Sequence, residues 1–181
     1  MSGLVTVRRS IADGPVRASL LRILRGNVLC SVASVTRRGR AHIHTAYFAF
    51  SMDPLEIYFL SDPDSAHARH LDENPSAAVS VFDSSQRWGR SDRGAQLFGS
   101  CRQVTGSAAR TAERAYARRF APYARWLAAT TEEGRRAAAR LRSYRFYRFV
   151  PGEVKILDER VFGGGVFVLA RVPRSRRGRG V

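Results

Sequence analysis

The spacing of apolar residues changes period several times along the chain, and each change marks an element. In DGPVRASLLRILRGN, residues 13–27, Val16, Leu20, Leu21 and Leu24 fall on one helical face. Asp13 can cap that helix, Pro15 suits an early helical position, and Gly26 and Asn27 end it. The period then shortens to that of strands. Residues 28–36, VLCSVASVT, turn at RRGR into 41–51, AHIHTAYFAFS, which turn at MDP into 55–61, LEIYFLS, a run of hairpins that implies an antiparallel meander. A short helix is expected over 65–75, with Ser65 as its cap and Pro75 past its end.

Strand character returns in 76–83, SAAVSVFD, and in 95–105, AQLFGSCRQVT, on either side of a polar loop, SSQRWGRSDRG. Residues 107–142 read as helix, rich in Ala and Arg, with Pro122 and Gly134 expected to break it into pieces. The stripe Tyr116, Phe120, Tyr123 and Trp126 reads as core or subunit contact. Alternating Tyr144, Phe146 and Phe149 restore a strand, and GGGVFVLARV turns into a final short one. The expected architecture is α+β, a barrel of about six or seven mostly antiparallel strands with peripheral helices, in a single domain over 1–170 followed by a basic, disordered tail over 171–181.

Composition changes this picture in three places. The formal net charge is +16, which by itself suggests nucleic acid as a partner. Lys155 is the only lysine, however, so the excess is an arginine bias, part of it in the tail, and the aromatic and arginine alternation of SYRFYRFV is explained by a strand; nucleic acid is not the expected partner. Cys30 and Cys101 have no pair spacing and read as buried free thiols. No stretch is apolar for long enough to span a bilayer and the start lacks the core of a secretory signal, so a cytoplasmic protein without a membrane partner is expected.

The candidate chemistry lies in IYFLSDPDSAHARHLDENPSAAVSVF, residues 57–82, where a strand ends on Ser61 and hydroxyl and basic side chains gather before the next strand. With the preceding amphipathic helix and the later RWGRSDRGAQLFGSCRQV, this segment resembles the pyridoxamine 5'-phosphate oxidase-like family of flavin-binding split barrels, over roughly residues 16–158. Ser61, Ser65, His67, Arg69, Asn74 and Pro75 carry the match. The resemblance implies FMN, its phosphate held by Ser61, Ser65, His67 and Arg69 and by free amides at the helix start. One departure stands out: many flavin-binding members place an Arg-Lys pair directly after the serine, where this chain has Ala66 and His67.

By the same resemblance the strand HIHTAY runs along the flavin ring, with His44, Thr45 and Tyr47 as contacts. Members form homodimers, so Trp88, Arg93 and Gln96 would reach the cofactor from the other subunit. Alternation places His42, His44 and Ala46 on one face and Ile43, Thr45 and Tyr47 on the other. His42 and His44 could reach a metal or haem iron together, but the sequence shows no further ligands, and no metal is expected. The implied function is an FMN-dependent oxidoreductase moving a hydride to or from a small organic substrate, without a protein nucleophile. A deazaflavin coenzyme, haem, or a non-catalytic cofactor-binding module are the alternatives. The arginine and histidine signature of the oxidase itself is not reproduced in VFGGGVFVLARV, so oxidation of pyridoxamine phosphate is not expected.

Overall fold

The computed structural model describes residues 4–173, so the part of the basic tail from 174 onward lies outside the described residues. Strands β1 (Val5–Ser10), β2 (Leu29–Val35), β3 (Ala41–Met52), β4 (Leu55–Ser61), β5 (Ser76–Phe82), β6 (Arg93–Gln103), β7 (Arg145–Asp158) and β8 (Val166–Arg171) form one sheet in the order β1-β8-β7-β4-β3-β2-β5-β6. Pairing of β6 with β7 closes six of them into an antiparallel barrel, and β8 and β1 continue off the side of β7. Strand β7 is long enough to serve two neighbours along one edge: its first half pairs with β4 and its second half with β8.

The barrel interior is filled by alternate residues of its strands, among them Val32, Phe48, Ile57, Phe59, Val79, Leu97, Tyr147 and Phe149. Helix α1 (Gly14–Gly26) adds Val16, Leu20, Ile23 and Leu24 to the same cluster, each worth about 1.5–3 kcal/mol of burial. Its start is not capped by a side chain: Asp13 makes no such bond, and Pro15 instead removes one amide that would need a partner. At the far end of the helix, Arg119 donates to the carbonyls of Leu24 and Asn27 and lies over the rings of Phe48 and Phe50, a cation held by helix-end carbonyls and π faces. Buried Asp158 accepts from Ser19 at 2.6 Å, tying α1 to the end of β7. Cys30 and Cys101 are free and buried.

Helices α3 (Gly106–Arg119), α4 (Ala121–Leu127) and α5 (Glu132–Ser143) cover the outside of the barrel over a second apolar cluster that includes Ala49, Tyr58, Tyr123 and Phe146. Tyr116, Phe120 and Tyr123 of the aromatic stripe pack here, whereas Trp126 is exposed. One expected break is present, at Phe120 just before Pro122, and the other is not. Pro122 sits in the first turn of α4 and starts that helix, because its missing N–H would have had no helical partner there. Gly134 lies inside α5, where its amide donates to the capping hydroxyl of Thr131. Strand β1 was not foreseen, since VTVRRS is exposed almost throughout and pairs in parallel with a strand at the other end of the chain.

The β6–β7 ladder slips between Phe98 and Gly99, and there the two backbones come so close that a Cβ on Gly99 would lie 2.1 Å from the Val150 carbonyl oxygen. Gly152, across the same irregularity, has open space, its nearest contact at 4.0 Å. Gly99→Ala is therefore expected to destabilise the fold by about 3 kcal/mol, the upper end of overpacking costs, and Gly152→Ala by less than about 0.5 kcal/mol, with thermal unfolding of the two variants as the check.

Candidate functional site

Strands β3 and β4 pair only from Phe48↔Phe59 to Met52↔Leu55, so the first part of β3, residues 41–47, is bonded to β2 along one edge and, among the described residues, to no strand along the other. Helix α2 (Ala66–Glu73) lies beside this opening, its Ala68 and Leu71 buried in the barrel cluster. The alternation of β3 sorts its side chains: His42, His44 and Ala46 are half-buried on the inner face, and Ile43, Thr45 and Tyr47 are exposed on the outer one.

On the inner side the structure brings all four histidines of the chain together. His44 stacks on His67 with ring centroids 3.7 Å apart, and its edge meets Phe59 at 5.4 Å. His42 is 6.2 Å from His67 and 5.1 Å from His70. One nitrogen from each of His42, His44 and His67 lies within 4.8 Å of the others. The sequence showed two of these side chains on one strand face; the others arrive from α2, and residues a helical turn apart facing a strand leave no local signal of that meeting.

The serines set the proton of His67. Ser65 caps α2 by accepting from the Ala68 amide at 3.3 Å and gives its own hydrogen to the Asp62 carbonyl at 2.7 Å. It can therefore meet Nε2 of His67, 3.0 Å away, only as an acceptor, which assigns a proton to Nε2; Ser61 Oγ is 2.6 Å from the same nitrogen. Burial, and then the neighbouring His67 and His42, lower the pKa of His44 to about 3, and burial lowers that of His67 as well. Both rings are neutral at physiological pH. Arg69, exposed on the same helix, donates to the Asp64 carbonyl.

The remaining sequence-chosen residues lie on the barrel's outside. Register places Thr45 opposite Ser31, Ser31 opposite Ser80, Ser80 opposite Gln96 and Gln96 opposite Lys155, a polar row across five strands. Beside it runs an apolar row, Ile43, Ala33, Ala78 and Phe98. Arg93 and Gln96 share a shallow groove of about 310 Å³ with Phe82 and Lys155. Tyr47 sets its ring edge against Phe120 at 5.8 Å, and Trp88 is wholly exposed in the loop before β6. Within one chain, then, Ser61, Ser65, His67 and His44 form one group, Arg69 stands beside it, and Thr45, Tyr47, Trp88, Arg93 and Gln96 face elsewhere.

A six-stranded barrel opened between β3 and β4, with a short helix at the opening, is the architecture of a split barrel. A model of the family described as pyridoxamine 5'-phosphate oxidase matches residues 17–158, and the chain belongs to that family. Among solved structures it is similar to a conserved hypothetical protein from Mycobacterium tuberculosis, at 16% identity over 90% of this chain and 91% of that one, with a TM-score of 0.62. It is also similar to a haem binding protein from Mycobacterium smegmatis, at 15% identity over 91% of this chain but only 59% of that one, TM-score 0.62. A FAD-binding protein from Mesorhizobium loti matches at 16% identity over 74% of this chain and 88% of that one, TM-score 0.53. At such identities the likeness is one of fold. No curated protein matches the sequence.

The neutral histidines make folding sensitive to acid. His44 binds its proton at about pH 3 when folded, against a usual value of 6.5, so the unfolded chain takes up the proton first as pH falls. Stability is thus lost on acidification below pH 6.5, by at most about 1.4 kcal/mol per pH unit for one proton. The charged or titratable groups facing His44 are His42 on its own strand and His67 on α2, with His70 and Asp62 beyond. Thermal unfolding from pH 7.5 to 5 is expected to show a smaller acid-induced fall in Tm for His44→Asn than for the natural chain.

Proposed function

We propose that the protein is a homodimeric flavin-binding oxidoreductase that holds FMN between the free edge of β3 and the start of α2 and acts on a small organic substrate. The observation that carries this reading is the unpaired edge at residues 41–47 beside the converging Ser61, Ser65 and His67. A flat ring needs a line of backbone donors and acceptors along its polar edge, which an unpaired strand edge offers, and a phosphate needs hydroxyls and a cation where the chain turns into a helix. The residues fit such a group, with Arg69 as a fixed cation beside the cradle. The family and the FAD-binding neighbour support the cofactor class.

FMN supplies a two-electron carrier when bound, and the chain's part is to position it and keep water away. Ser61, Ser65, the Nε2–H of His67 and Arg69 would hold the phosphate end, and the β3 edge would hold the ring. The polar row from Thr45 to Gln96, flanked by Ile43 and Phe98, is the face that a second subunit covers, bringing Trp88, Arg93 and Gln96 of that subunit toward the ring. A cytoplasmic setting suits this reading, and among the described residues no helix is long and apolar enough to cross a membrane. Haem is the second reading, favoured by the cluster of neutral imidazoles; the haem binding neighbour belongs to the same fold.

The absorbance spectrum of the purified protein, taken after incubation with FMN and gel filtration, is expected to retain flavin bands. A Soret band after incubation with haem, with flavin lost on the column, supports the second reading, and retention of neither cofactor contradicts both. Arg69→Ala is expected to weaken FMN binding by about 1.5–3 kcal/mol, the scale of one charged hydrogen bond, as measured by quenching of flavin fluorescence. His67→Lys restores a permanent cation at the cradle and is expected to tighten binding about tenfold, whereas unchanged affinity in both variants removes the phosphate from this place.

A further inference from the structure

We propose that His42, His44 and His67 form a binding site for a single divalent transition-metal ion of the zinc class, open to a water or substrate molecule at a fourth position. The inference goes beyond the flavin reading and does not depend on it, since it is carried by the imidazole cluster and not by the strand edge.

Four histidines occur in the whole chain, and all four meet in one place from two elements, with a nitrogen of each of His42, His44 and His67 inside a 4.8 Å circle. Packing alone does not account for them. Both ring nitrogens of His44 are buried without a hydrogen-bond partner, which is costly in a site that serves only to fill space. A metal ion satisfies such a lone pair. Borderline ions of this class prefer imidazole nitrogen.

The surroundings resemble those of a built site. Ser61 and Ser65 hold the Nε2–H of His67, which leaves Nδ1 as the nitrogen that His67 offers, and a ligand imidazole ordinarily has its other nitrogen bonded in this way. His44 and His67 lie nearly parallel, 13° between planes, and two parallel rings cannot aim in-plane lone pairs at one ion. Binding therefore turns one of them about χ2, a broad torsion with a low barrier. All three ligands are half-buried, so the ion has a path from solvent. His70, edge-on to His42, stands next to the ligand set and outside it. Three protein ligands with a free position match the arrangement in which zinc binds and activates a small molecule. An ion here also places beside Ser61 and Ser65 the positive charge that neutral imidazoles lack.

The test uses the full chain without a histidine tag, stripped with chelator, freed of flavin and titrated with zinc by calorimetry. One ion per chain is expected, with cobalt(II) giving the intense visible bands of a four-coordinate site. His44→Ala and His67→Ala should each weaken zinc binding by at least ~100-fold, beyond the ~10- to 100-fold that loss of an outer partner costs, while His70→Ala should change it by less than ~10-fold. Circular dichroism and thermal unfolding of each variant separate a lost site from a lost fold; His44→Asn, near in size, serves if the alanine variant unfolds. Absence of zinc binding by the folded natural chain overturns the proposal, and so does binding that survives in the folded His44 and His67 variants. Because flavin is absent throughout, neither result depends on whether FMN binds.

Discussion

Strand β3 runs on past the last residue it shares with β4, and the backbone groups along that released edge have to be met by something other than a strand. The rest of the molecule is arranged around this parting. Closure of the barrel elsewhere, through β6 and β7, keeps the interior residues buried and lets the opening persist without unravelling the sheet. Helix α2 stands at the opening because its Ala68 and Leu71 are anchored in the barrel core, and its capped start then presents Ser65 and His67 to the free strand. A polar site is thereby fixed on rigid elements by apolar anchors one residue away from the groups it uses.

Electrostatics at the site differs from that of the protein as a whole. The chain carries a formal charge of +16, yet the opening holds the neutral imidazoles of His44 and His67 and the acidic Asp62 and Asp64 beside exposed Arg69. Much of the arginine does structural work or sits in water: Arg119 closes the end of α1, and Arg136 pairs with Glu132 along an exposed helix face. Net charge therefore says little about the ligand here, while the protonation state of a few rings says a great deal.

The strands and helices were legible in the sequence wherever a segment buries one face, as in the alternation of 28–36 and 76–83 or the helical spacing of Val16, Leu20 and Leu24. Where that signal was absent the reading failed, at exposed β1; where a local rule had two meanings it held at Pro122, where the helix breaks at Phe120, and failed at Gly134, which lies inside α5. The site divides in the same manner. Ser61, Ser65 and His67 are close in sequence and their meeting follows from a strand end and a helix cap. The stacking of His44 on His67 and the polar row from Thr45 to Gln96 depend on which strands are neighbours, and no spacing along the chain records that.

The central claim, that a cofactor lies along the released edge of β3 and against the start of α2, is tested most directly by amide hydrogen exchange of the full chain with and without FMN. The account predicts slower exchange at amides within residues 41–47 and 65–69 on addition of FMN, with the closed side of the barrel unchanged. Equal exchange at those amides, with protection confined to another part of the chain, would contradict it.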